Sequence, residues 1–232
     1  MARPAILLLH AFPLDGRMWD PIRRRLEDAG YAVAAPDLPG EPVEVGMASW
    51  ARRVLGLADG ALVPVGCSMG GYLAFELWRQ AGERIRALAL FDTKARADDE
   101  AQREARDDSI RVLGEEGFET FWAGLAPRLL AGEDPGAREL AAEQPLTALV
   151  AALETLRDRP DSRDTLPTID VPVLVGVGTE DRLTPPSDSE EMVAALPNAR
   201  FLRIEGAGHL SPLERPDEVG VAVAAFLEEL PA

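Results

Sequence analysis

The sequence predicts an α/β fold: a doubly wound, mostly parallel sheet of about six strands, interrupted once by a helical insertion. Two observations carry this prediction. Short apolar runs alternate with amphipathic stretches along most of the 232 residues, the pattern of strands buried on both faces by helices. Between about Lys94 and Leu166 the alternation stops, and Ile110, Leu113, Phe118, Phe121, Trp122, Leu125 and Leu129 recur at helical spacing without a β-branched run. A chain this long buries one sizeable core, roughly 70% of its unfolded surface, and an α/β fold of this size is often a single domain.

Taken in order, the apolar runs at 6–9, 32–35, 62–65, 87–91, 173–177 and 200–204 read as strands. The stretches 18–29, 47–57, 69–80, 188–195 and 216–230 read as helices. Asp37-Leu38-Pro39-Gly40, Gly66, Asp92 and Gly178-Thr179-Glu180-Asp181 punctuate them as turns. The organisation expected is an α/β core of residues 1–93 and 167–232 with a helical lid insertion, 94–166, placed over the carboxyl ends of the strands, where open α/β sheets bind their ligands. The charged faces of the insertion read as solvated helix surface, which would disfavour strongly anionic substrates.

Charge and composition exclude several functions. Lys+Arg 24 against Asp+Glu 40 leaves a net charge of -16, which repels phosphate backbones and anionic membranes, so neither nucleic acid nor membrane is expected as a partner. Cys67 is the sole cysteine, which excludes an intrachain disulfide and a cysteine-based metal site. His10 and His209 are the only histidines, and no metal site is expected. The first apolar run is too short for a secretory segment or a membrane span. The expected location is cytoplasmic.

The chemistry concentrates around Gly66-Cys67-Ser68-Met69-Gly70-Gly71, which follows a predicted strand and opens a predicted helix. This is the setting a G-x-S-x-G nucleophile elbow requires. The glycines leave room for a strained turn against its neighbours. The turn aims Oγ of Ser68 at a cleft and sets the backbone N–H of Met69 at a helix start, where the dipole favours negative charge. A glycine-rich turn without chemistry would look alike in sequence, so the partners decide. A serine nucleophile needs a base, and the base an orienting acid. His209 lies in Gly206-Ala207-Gly208-His209 after the last strand, a loop that can reach back over the sheet; His10 precedes the nucleophile. Asp181, in the turn after the fifth strand, is the better placed acid, and Asp92 is expected to cap its own turn. Cys67 reads as a small buried residue beneath the elbow.

Together these residues resemble the α/β-hydrolase superfamily, in its single-domain, lidded serine esterase and lactonase branch. His10-Ala11-Phe12-Pro13 is similar to the family's H-G-x-P loop, which implies that the N–H groups of Phe12 and Met69 form an oxyanion hole. Asp37-Leu38-Pro39-Gly40, Gly178-Thr179-Glu180-Asp181, and Gly208-His209 with Glu214-Arg215-Pro216 fit the same pattern. Ala11 stands where glycine is usual, the family's N-terminal hairpin is absent, and the segment after Gly40 is short. Asp15-Gly16-Arg17-Met18-Trp19 resembles the enol-lactonase relatives.

The resemblance implies a cofactor-free hydrolase of a small ester or lactone, with Ser68 as nucleophile, His209 as base and Asp181 as acid. Trp19, Phe118, Phe121 and Trp122 are candidates for the substrate pocket. The same triad serves C–C bond hydrolases and perhydrolases, and a hydrolase-like ligand-binding protein is the reading from another class.

Overall fold

The computed structural model describes residues 3–39 and 43–230; Met1, Ala2 and Gly40, used in the sequence reading, lie outside the described residues. Six strands form one parallel sheet in the order β2-β1-β3-β4-β5-β6: β1 (Ala5–Leu9), β2 (Val33–Ala34), β3 (Leu62–Cys67), β4 (Leu88–Phe91), β5 (Val173–Gly178) and β6 (Ala199–Ile204). All five pairings are parallel. Side chains alternate across a strand, so Leu7 and Leu9 enter one core layer while Ile6 and Leu8 enter the other. One layer packs Trp50 of α2 (Met47–Leu55) and Phe75 of α3 (Met69–Ala81); the other packs Trp19 with Ile22 of α1 (Asp20–Asp28) and Phe226 of α10 (Pro216–Glu228). Helix α8 (Pro186–Ala195) packs on β5 and β6.

Element ends differ from expectation where capping chemistry takes over. Helix α1 begins at Asp20 and follows a 3-10 turn, Gly16–Trp19, whose start is capped by the Asp15 carboxylate accepting from the Arg17 N–H. Pro21 lacks an N–H and suits the helix's first turn, as Pro186 suits that of α8. Strand β2 pairs on one side only and keeps two residues of the four expected. A short helix, α9 (Ser211–Glu214), stands before α10 and has no counterpart in the sequence reading.

Between β4 and β5 the chain forms α4 (Glu100–Glu115), α5 (Phe118–Leu129), α6 (Pro135–Ala142) and α7 (Leu146–Arg157). Asp99 and Gln102 close a capping box at the start of α4, satisfying two amide groups that a helix terminus leaves unpaired. Among the described residues no helix is long and apolar enough to cross a membrane.

Candidate active site

Ser68 sits between β3 and α3 with φ 50 and ψ -109, a strained conformation for a residue with a Cβ. Its N–H donates to the Phe91 carbonyl at 2.9 Å, and its own carbonyl accepts from Thr93 Oγ1 at 2.9 Å. Neighbouring strands therefore hold the turn at both ends. The flanking glycines are steric necessities: a Cβ on Gly66 would meet the Gly70 carbonyl carbon at 2.4 Å, and one on Gly70 would meet the Leu9 carbonyl oxygen at 2.0 Å.

Strands β5 and β6 are neighbours, which carries their following loops to the same edge of the cleft. His209 Nε2 lies 2.7 Å from Ser68 Oγ, and His209 Nδ1 lies 2.8 Å from Asp181 Oδ2. Asp181 also accepts from the N–H groups of Leu183 and Thr184 at 2.8 and 2.9 Å and from Thr184 Oγ1 at 2.7 Å. Burial works to raise the Asp181 carboxyl, but the His209 charge and these donors outweigh it and hold it below the usual carboxylate range. The structure thus brings Ser68, His209 and Asp181 into one hydrogen-bonded line.

The histidine loop is anchored from several sides. The His209 N–H donates to the Leu129 carbonyl at 2.8 Å. Glu214 Oε1 accepts from the N–H groups of Gly208 and Leu210, while its Oε2 accepts from that of Ala131. Asp92 does not cap its own turn. Its Oδ1 accepts from Gly178 N–H at 2.9 Å and its Oδ2 from the N–H and hydroxyl of Ser211 at 2.8 and 2.6 Å, tying the end of β4 to β5 and α9. Burial, then the charge of Asp181, pushes the Asp92 carboxyl up to about 7. Burial and Asp92 push the Cys67 thiol well above its ordinary range, and its Sγ packs 3.7 Å from Asp92.

Met69 opens α3, whose first N–H groups have no partner within the helix. Phe12 follows the end of β1, and the two residues share the wall of a crevice of about 10 Å³. His10 is fully buried, its Nδ1 3.0 Å from the Ala11 carbonyl and its Nε2 accepting from the Leu38 N–H at 2.8 Å. Burial lowers its pKa, and it pins the loop that carries Phe12. Ala11 fits that loop fully buried.

A cavity of about 110 Å³ adjoins Ser68 and His209. Phe121 lines it, and its ring meets that of Phe12 edge-on at 6.0 Å. The other aromatic candidates do not: Trp19 is fully enclosed in the core beside α1, and Phe118 and Trp122 stack on each other away from the cavity. Helical spacing records a buried face without saying which layer it joins. Lys94, Arg106 and Arg128 line the cavity against the single acid Asp98, so its wall is basic, contrary to the repulsion of anions expected from the acidic insertion. The sequence flagged Glu214 through the family resemblance and Asp92 as a turn residue, but neither as a brace of the histidine loop; Thr184 and the cations carried no signal beyond the Asp-x-x-Thr spacing of a side-chain turn.

The alpha/beta hydrolase family matches the chain over residues 6–222. Similar curated proteins include the pimeloyl-[acyl-carrier protein] methyl ester esterase of Xanthomonas campestris, 29% identical over 98% of this chain and 96% of that one. Another is the polyketide synthase ThaQ of Burkholderia thailandensis, 34% identical over 74% of this chain, which spans only 9% of ThaQ's length. Among solved structures, an esterase from Thermogutta terrifontis with malate bound superposes with a TM-score of 0.91 at 33% identity, covering 99% of this chain and 90% of that one.

Proposed function

The chain belongs to the alpha/beta hydrolase family, and within it we propose a hydrolase of ester bonds that cleaves a small carboxylic ester or lactone through an acyl-enzyme on Ser68. The observation that carries this reading is the continuous line from Ser68 Oγ through the His209 imidazole to the Asp181 carboxylate, with links of 2.7 and 2.8 Å. The esterases that match over nearly the whole chain support the bond type.

In this reading Ser68 Oγ attacks the acyl carbon while His209 Nε2 takes its proton. Asp181 holds Nδ1 protonated in the neutral ring and stabilises the imidazolium as it forms. The N–H groups of Phe12 and Met69 receive the oxyanion, each such donor contributing on the order of 10²–10³ in rate. His209 returns the proton to the leaving alcohol; water, deprotonated by the same nitrogen, then frees the acid and restores Ser68. Residues 94–166 act as the lid, with α4, α5 and α7 supplying the outer wall of the cavity.

Stopped-flow hydrolysis of p-nitrophenyl esters from acetate to octanoate tests this. Wild type should give a burst followed by turnover. Ser68→Ala should lose the burst and at least about 10³-fold in kcat, and Asp181→Asn about 10⁴-fold with the fold retained. Equal slow rates for wild type and Ser68→Ala would remove Ser68 as nucleophile.

A further inference from the structure

We propose that the substrate carries an ionised carboxylate close to its ester, and that Lys94 and Arg106 bind it on the wall of the cavity that also adjoins Ser68 and His209; this rests on the hydrolase reading above. Lys94 is the only lysine in the chain, and it is 4% exposed although it lines the cavity. It follows Thr93, whose hydroxyl bonds the Ser68 carbonyl, so the ammonium belongs to the same strand end as the support of the nucleophile. Its Nζ meets Gln102 Oε1 at 3.1 Å and Asp98 Oδ1 at 3.5 Å.

The local charges do not balance. The one carboxylate of Asp98 faces three cations: Lys94, Arg106 through Nε at 3.2 Å, and Arg159 at 2.8 Å. Arg159 is already committed, donating to the carbonyls of Leu156 and Arg96 and lying 4.2 Å over the Tyr72 ring. The nearby acid Asp188 is paired with Arg96. Four cations thus stand against two carboxylates, in a chain whose net charge is -16.

The buried members of the cluster, Lys94 and Arg159 against Asp98, carry one excess positive charge; such a charge held away from water is unfavourable, and an arriving anion relieves it. Burial and then the neighbouring Arg159 pull the Lys94 ammonium below its ordinary range, outweighing Asp98 and Asp188, which work to raise it. The terminal nitrogens of Arg106 donate no hydrogen bond among the described residues. That leaves a planar fork of the kind that matches a carboxylate in two-point contact. Arg128, which unlike Lys94 and Arg106 has no ion pair among the described residues, adds a third positive charge to the lining.

Two matched measurements test this. The first compares kcat/KM for monoethyl glutarate with that for ethyl pentanoate, its uncharged analogue. Wild type should prefer the charged ester by at least about tenfold, the range of a charge-assisted contact. Lys94→Met and Arg106→Met should each erase most of that ratio through KM, with Lys94→Arg restoring part of it. Ser68-dependent hydrolysis of both esters at equal kcat/KM would overturn the carboxylate site and leave the hydrolase reading standing. The second measurement is calorimetric titration of the Ser68→Ala protein with glutarate, glutaramide and inorganic phosphate. Glutarate should bind at least about tenfold tighter than glutaramide, and Lys94→Met should abolish the difference. Binding of glutarate without turnover of either ester would retain the site and overturn the hydrolase. Failure of glutarate to bind, or tighter binding of phosphate, would overturn the carboxylate proposal itself.

Discussion

Two buried aspartates stand within reach of the histidine loop, and their surroundings divide the work between them. Asp181 bonds the imidazole, whereas Asp92, at φ 48, accepts from the backbone of Gly178 at the end of β5 and of Ser211 just after the histidine loop. Its carboxyl, raised from 3.8 to about 7 by burial and then by Asp181, has a consequence for stability. Between those two values the folded protein retains a proton that the unfolded chain has released. The contribution of this group is therefore full below about 3.8, declines as pH rises, and is gone by about 7. Thermal melts of wild type and Asp92→Asn should show the variant gaining on wild type by several degrees between pH 4 and 7, then running parallel. A difference independent of pH would mean that Asp92 ionises normally. Residue type and chain order pointed to Ser68, His209 and Asp181, three side chains that meet in one hydrogen-bonded line. The pocket was not legible in the same way, because Trp19 and Phe121 carry similar apolar spacing and only packing separates a core ring from a cavity ring.

At the scale of the element, the β3–α3 junction is the most tightly specified part of the chain. Gly70 packs its backbone against β1, with no flexible side-chain end to give way. Gly70→Ala should lower the melting temperature sharply and abolish activity, since overpacking of this kind costs roughly 1–3 kcal/mol or more. Gly124, inside α5, has open space around it, and Gly124→Ala should instead stabilise by about 0.5–1 kcal/mol, because alanine is the better helix former. Chemical denaturation of both variants checks the pair; a neutral Gly70→Ala would mean that β1 and α3 can move apart. Apolar periodicity located each strand and the helices that cover the sheet, but gave the insertion only as helical, without dividing it into α4 to α7. It missed α9, whose four residues are too few for a period and whose first residue is held from outside by Asp92 at the end of β4. The shortness of β2 was equally hidden, since pairing on one side depends on the sheet order.

Across the whole molecule, the insertion and the histidine loop are joined at one carboxylate. Glu214 accepts from Gly208 and Leu210 in the loop and from Ala131 after α5, the last of these 83 positions away in sequence. The His209 N–H also bonds the Leu129 carbonyl, so the outer wall of the cavity and the proposed base are tied together by direct hydrogen bonds. Glu214→Ala should lower kcat about ten- to a hundredfold, with a smaller change in KM. It should also speed proteolysis of the segment 129–134. An unchanged kcat in a protein that melts normally would show that the loop keeps its geometry without this anchor. The sequence by itself determined the alternation of strand and helix, the glycine-flanked turn at Ser68 and the order of serine, aspartate and histidine proposed as the triad, because these depend on side-chain period, on the steric demands of glycine and on residue type. Only the tertiary structure decided which aromatic ring faces the cavity, that Asp92 and Glu214 brace the loop, and that Lys94, Arg106 and Arg159 converge on Asp98. Those facts come from distances between segments far apart in the chain, and local spacing holds no information about which distant charge a folded backbone will bring within 4 Å of another.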